Sequence, residues 1–293
     1  MTVLDLTWLA LSDRLSLLIP PFLLLVVAAL LALLIGLRPS SLKPWLRDAA
    51  IGSAFILISF ATLKILDYLL MSTRLPLADD LLDSWDRALG FSWLAYAQTV
   101  AQHDWLAALL RTAYLSLSQL TVVVFAVLFY LRGAGRAAEY VRLFFGCATI
   151  STVIGAFFPC IGVMVRYASP ELAAVFGPGA GTYYLPPLEA LRSELPYQFD
   201  LRTMPGLVEF PSFHTASAVI MAYAFRDFGR VSWLALLYAL LLIASTPLIG
   251  GHYFVDLIAG AAVAVAMILV ERAVHRGRQS GLATGIPERQ PAE

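Results

Sequence analysis

Between Leu15 and Leu37 the sequence reads LSLLIPPFLLLVVAALLALLIGL, twenty-three residues without one charge. About 20 apolar residues suffice to cross ~30 Å of hydrocarbon. Comparable runs recur at residues 49–71, 112–131, 143–165, 211–225, 231–249 and 252–270. Lipid offers no partner to an unpaired backbone N–H or C=O, so each run is expected to be a helix. The fold class is therefore all-α, a polytopic membrane bundle of about seven transmembrane helices. Over the 293 residues, 60% are apolar and only 14% charged, where soluble domains carry about 25% charged residues. The formal net charge of zero speaks against a nucleic-acid partner. The first apolar run is too long for a signal-peptide core and lacks a basic start, so it is read as a retained span. Cys147 and Cys160 lie in one apolar run and are expected to be buried thiols, neither disulfide nor metal pair.

The links between the runs alternate in charge. RPSSLKPWLRD, RGAGRAAEYVR, RDFGR and the tail with Arg272, Arg276 and Arg278 are basic. The segment 72–104 is acidic, with Asp79, Asp80, Asp83 and Asp86, and the link 166–209 is mixed. The positive-inside rule puts the basic links in the cytoplasm, the N-terminus outside and the C-terminus inside. In segment 81–103, Trp85, Leu89, Trp93 and Leu94 recur at helical spacing, which predicts one or two amphipathic helices on the outer surface. Gly and Pro interrupt the link 166–210, with a short helix expected near 187–193, and a loop of that length suits a functional lid. The chain divides into N-terminal spans and surface helices (1–105), a catalytic membrane core (106–275) and a disordered cytoplasmic tail (276–293).

Two histidines stand where runs begin on the same side. In FPSFHTASAVIMAYAF, Pro211 suits a first helical turn and Ser212 a cap, which places His214 near a helix N-terminus that favours anions. The fifteen residues of that run cover only about 22 Å, so its start is expected to dip below the surface, into a cavity lined by the long link. In STPLIGGHYFVDLIAG, Gly250 and Gly251 form a turn, His252 opens the helix, and Asp256 follows four residues on, on the same face. A carboxylate so placed can hold one ring nitrogen and leave the other free as nucleophile. Ionisable groups inside spans mark functional sites. His214, His252 and Asp256 also make a conceivable zinc set. A lone interfacial His is more often structural than catalytic, and an Asp four residues on can simply satisfy it. His103 and His275 fall outside the constellation and are expected to be solvated.

PSFHTASA resembles the PS-x-H signature of the phosphatidic acid phosphatase type 2 superfamily, and STPLIGGHYFVDLIAG its later signature, over a core from Pro211 to Val270. FPSFHTASAVI and GGHYFVDLIAG look most like the inositolphosphotransferase branch, the one with inositol phosphorylceramide synthase. DRALGFSW and LPPLEALR resemble that branch more loosely. Thr246 stands where the phosphatases have a phosphate-gripping Arg, and the superfamily's Lys-to-Arg-Pro signature has no match at the right spacing. The residues expected around the phosphate are Arg192, Ser212, Gly251, Lys64 and Arg74, with Arg192 favoured among the cations. For Arg74 and Arg202 a plain surface charge is the favoured role, and for Lys64 and Asp67 a plain intramembrane ion pair. The resemblance implies that His252 forms a phosphohistidine, Asp256 orients it, and His214 serves as acid and then base, with no metal or other cofactor. The expected partners are the bilayer, a lipid substrate and an alcohol acceptor such as inositol, with the site on the non-cytoplasmic face. A lipid transporter or flippase without hydrolytic chemistry is the alternative class, and a non-catalytic membrane scaffold a third.

Overall fold

A computed structural model describes residues 1–38 and 43–283, the last six as backbone alone. Among the described residues, 74% are helical and there is almost no sheet. Among the described residues, five helices are long and apolar enough to span a bilayer: α2 (Ile19–Leu37), α3 (Pro44–Met71), α8 (Ala134–Gly155), α13 (Arg230–Ser245, prolonged by a π-helical turn at Thr246–Gly250) and α14 (Phe254–Ala283). A bent pair, α6 (Asp104–Leu115) and α7 (Leu117–Arg132), can form a sixth. The short apolar helix α12 (Phe213–Ala224) occupies the remaining place. A further helix, α1 (Thr2–Ala10), packs along α3, where the Thr2 and Thr62 hydroxyls lie 2.8 Å apart.

Several expected boundaries are corrected, each for a local reason. Residues 15–17 are not helical. Prolines in the first turn start α2 at Ile19, and the preceding Leu15–Leu17 forms β1, which pairs in parallel with β2 (Tyr197–Phe199). The run 112–131 is not one straight helix. The Ser116 hydroxyl bonds the Ala113 carbonyl and meets Tyr238, and the chain turns by 55° there. Back-bonding serines bend helices in this way. The run 143–165 ends early, at Gly155. Pro159 offers no N–H to continue it, and Gly162 takes φ +80° before the short α9 (Gly162–Tyr167). Pro211 lies outside the helix it was expected to start, and Ser212 is the cap itself. His252 precedes its helix, which begins at Phe254. The tail stays helical to Ala283, while residues 284–293 fall outside the described residues.

Consecutive spans alternate in direction, which sorts their ends. At one end the basic links join one another: Arg132 donates to the Asp227 carbonyl at 2.7 Å, Arg136 pairs with Asp227 at 2.9 Å, and Arg142 holds Glu271. At the other end lie the histidines and the short helices. These are α4 (Asp79–Ala88), α5 (Trp93–Ala101), α9, α10 (Pro170–Phe176) and α11 (Leu185–Arg192), the last close to the helix expected near 187–193. Packing groups the helices after residue 78 with the later spans in one apolar cluster. A second cluster joins Leu15 and the end of α3 to residues 184–207. Close approach in the bundle uses small residues, as membrane helices without a hydrophobic drive to associate require. A Cβ on Gly260 of α14 would fall 2.2 Å from the Ser212 carbonyl.

Candidate active site

α12 sits at the centre of the bundle, packed on α8, α13 and α14. Its start is fastened twice: the Ser212 side chain accepts from the Thr215 amide at 3.3 Å, and the Ser212 amide donates to the Asp256 carbonyl at 3.0 Å. Two turns of neighbouring chain are thereby locked together, and His214 and His252 face each other with ring centroids 6.3 Å apart. His214 stacks on Tyr114 at 4.2 Å, with Nδ1 3.4 Å from its hydroxyl, and Tyr114 in turn meets the Tyr183 hydroxyl at 2.9 Å. His214 is half-buried, whereas His252 is 1% exposed.

His252 Nδ1 lies 3.2 Å from Asp256 Oδ2, and the same oxygen accepts from the Tyr253 amide at 3.0 Å. The pair does not share a regular helix face, because Gly251 turns the chain at φ +85° just before His252. A left-handed glycine is required there twice over: the conformation penalises any Cβ, and one would meet the Gly181 carbonyl at 2.9 Å. The Gly251 carbonyl accepts from Val163 and the Ile249 carbonyl from Gly181, so three loops close around the turn that carries His252.

Sequence reasoning missed Glu209. Its Oε2 is 3.1 Å from His252 Nδ1 without forming a hydrogen bond, and the residue is 4% exposed. Burial, then the charges of Asp256, Asp79 and Asp67, push its carboxyl well above the ordinary glutamate value, which favours its protonated form. Its only sequence signal is a charge five residues before His214 at the edge of an apolar run. Glu209, His252 and Asp256 offer ligand atoms within 4.8 Å of one another, a nitrogen–oxygen set that suits a divalent ion. The nitrogen such an ion would take is the one Asp256 already orients.

The acidic segment, read from sequence only as a topology signal, holds the site in place. Asp86 accepts from the Phe254 and Val255 amides at 2.7 and 2.8 Å, which caps α14 directly after His252. Asp79 accepts from Ile161, Gly162 and the Tyr253 hydroxyl. Trp93 and Tyr96 of α5 donate to the Pro247 and Ala244 carbonyls at 2.8 and 2.7 Å. The spacing of Asp79, Asp83 and Asp86 on one helical face was the available signal.

The candidate phosphate ligands separate. Lys64 donates to the Met204 carbonyl at 2.8 Å. The expected Lys64–Asp67 ion pair is not formed. Asp67 instead accepts from the Leu207 amide at 2.9 Å, so each residue ties α3 to the link. Arg192 is the last residue of α11, and Arg74 lies 3.6 Å from Glu194 just beyond that helix end. Arg202 is taken by Asp200 at 2.7 Å. Thr246 is fully buried and bonds the Leu242 carbonyl. Cys147 and Cys160 are buried free thiols, and His103 and His275 are exposed. A cavity of about 370 Å³ lies elsewhere, between Met1, Thr2, Phe55, Thr62, Arg142 and Thr149, with neither site histidine in its wall.

A family model described as the PAP2 superfamily matches residues 80–270, a stretch that contains both histidines, Glu209, Asp256 and Asp86, and begins just after Asp79. Neither the curated proteins nor the solved structures contain a match to the chain.

Proposed function

The chain belongs to the PAP2 superfamily, whose members are generally phosphatases and phosphotransferases acting on phosphate esters, and we propose from that premise that it moves a phosphoryl group from a lipid phosphate ester through His252. The observation that carries the reading is the paired geometry of the rings. Asp256 holds His252 Nδ1 at 3.2 Å, which leaves Nε2 as the nucleophile, and His214 stands 6.3 Å away, close enough for one phosphoryl group to reach both rings.

In the first step Nε2 bonds to phosphorus, the ester P–O bond breaks, and His214 gives the departing alkoxide its proton. In the second, His214 takes a proton from the acceptor, whose oxygen displaces the imidazole. Asp256 steadies the positive charge that the ring gains between the steps. Acid–base help of this kind contributes roughly 10²–10⁴-fold. Lys64 is the cation assigned to the transferred phosphoryl group, with the backbone at Gly251 and the α12 start around Ser212 beside it. The resemblance to the inositolphosphotransferase branch, and Thr246 in place of the phosphatase Arg, favour an alcohol such as inositol over water as acceptor. The basic links gather at the end opposite the histidines, which supports a site on the non-cytoplasmic face.

The test is to incubate the purified protein with labelled lipid phosphates, with and without alcohol acceptors. Label leaving as a new ester identifies a transferase, and label leaving as free phosphate a phosphatase. Lipid crossing the bilayer with its ester intact, and no label released, overturns the reading in favour of transport.

A further inference from the structure

Three arginines from distant parts of the sequence meet at the C-terminal end of α11. Arg14 Nη2 donates to the Leu191 carbonyl at 3.2 Å and Nη1 bonds the Ser193 carbonyl. It thus answers the open carbonyls at the helix end, the usual task of a cation there. Arg192 and Arg74 are then surplus. Arg192 Nη1 is buried with no hydrogen-bond partner. Burial, then the charge of Arg74, draws its guanidinium below the ordinary arginine value. Arg74 is the one non-glycine residue in the described chain with positive φ, at +59°, a conformation kept only where its surroundings demand it. Among the described residues, Glu194 is the sole carboxylate within 4.0 Å of any of the three, at 3.6 Å from Arg74, and its side chain is 91% exposed. A pair so exposed is only weakly held.

We propose that Arg74 and Arg192, with Arg14 fixing the helix end between them, form an anion site for a phosphate-type group, separate from the one between the histidines. Two guanidinium forks match the oxygens of a phosphate, and an anion there gives the unpaired buried nitrogen of Arg192 a partner and balances two positive charges at one helix end. The separation follows from helix geometry. Tyr184, whose hydroxyl lies against the His252 turn, is eight residues before Arg192, or about 12 Å along α11. From Lys64 to the end of α3 is a further climb of about 10 Å before Arg74 is reached. Exposed Leu75 and Leu195 flank the pair, surroundings that fit the head group of a membrane lipid.

The experiment uses the full chain in detergent, in the His252→Ala background so that nothing is turned over, and titrates fluorescent phosphatidic acid. The R74Q/R192Q double variant is expected to bind at least tenfold more weakly, and Arg192→Lys to fall between, since it keeps the charge and loses the fork. A second titration with inorganic phosphate separates the sources. Displacement of the lipid by phosphate makes the phosphate group alone the ligand, and its failure to displace, with the arginine dependence intact, makes the ligand a lipid phosphate. Should R74Q/R192Q fold poorly, single Arg74→Gln, which alters a partly exposed side chain, carries the comparison. Unchanged lipid affinity in variants that keep the parent melting temperature overturns the proposal. Because binding is read without turnover, loss of the phosphotransfer reading leaves this result standing, and the reverse also holds.

Discussion

At the scale of single residues, His252 carries one engaged nitrogen and one free one, and the two should respond differently to substitution. His252→Ala is expected to abolish turnover and to leave no covalent phosphoenzyme in alkaline-quenched rapid mixing. An active His252→Ala enzyme would remove the nucleophile assigned here. Asp256→Asn keeps the shape and loses the charge that holds Nδ1; a fall of about 10⁴-fold in kcat accompanies the analogous change in a serine triad, with the melting temperature little changed. Chelators should leave activity intact, whereas loss restored by zinc would make Glu209, His252 and Asp256 a metal centre. Glu209 predicts a stability effect. Its folded carboxyl holds a proton that the unfolded one releases above about 4.5. Its contribution is therefore fully present below that pH and declines as pH rises through the raised folded value. Glu209→Gln should flatten that part of a melting-temperature profile recorded against pH, and an unchanged slope would show that the carboxyl is ionised.

At the scale of elements, the site depends on how α14 begins. Asp86 takes two amides of its first turn, and removal of a helix cap costs about 0.5–2 kcal/mol. Asp86→Ala should lower the melting temperature and reduce kcat as well, because His252 sits two residues before the released turn. A drop in stability with full activity would make Asp86 a cap and no more. The elements also show where sequence reading stops. Apolar runs announced the spans, and the spacing of His214, His252 and Asp256 announced the pair, because both signals are local. The bend at Ser116 and the early end of α8 turn on one hydroxyl and one proline within runs that hydropathy scores as continuous. Glu209 and the aspartates of α4 act on partners far along the chain, from about 43 residues away for Glu209 and His252 to 174 for Asp79 and Tyr253. No periodicity records such contacts.

At the scale of the molecule, the two ends differ in chemistry, with arginine-rich links at one and the histidines at the other, so orientation can be tested directly. Leu195 is 71% exposed at the histidine end, and Gly135 lies in the first turn of α8, at the basic end, with open space around its Cβ position. Cysteines at these two positions should react with an impermeant thiol reagent from opposite sides of sealed vesicles, that at 195 from the non-cytoplasmic side. Reaction of both from one side would refute the bundle's alternation.

Lys64 and Asp67 have a further consequence, for biogenesis. Both lie in an early span, yet each finds its partner about 140 residues later, at Met204 and Leu207. At roughly 5–20 residues per second, a ribosome needs about 7–28 s to deliver those partners. For that interval α3 must wait in the translocation machinery, or in the bilayer, with two ionisable groups unmatched. A nascent chain stalled before residue 204 would carry the marks of an orphaned subunit, and membrane proteases would have a reason to remove it.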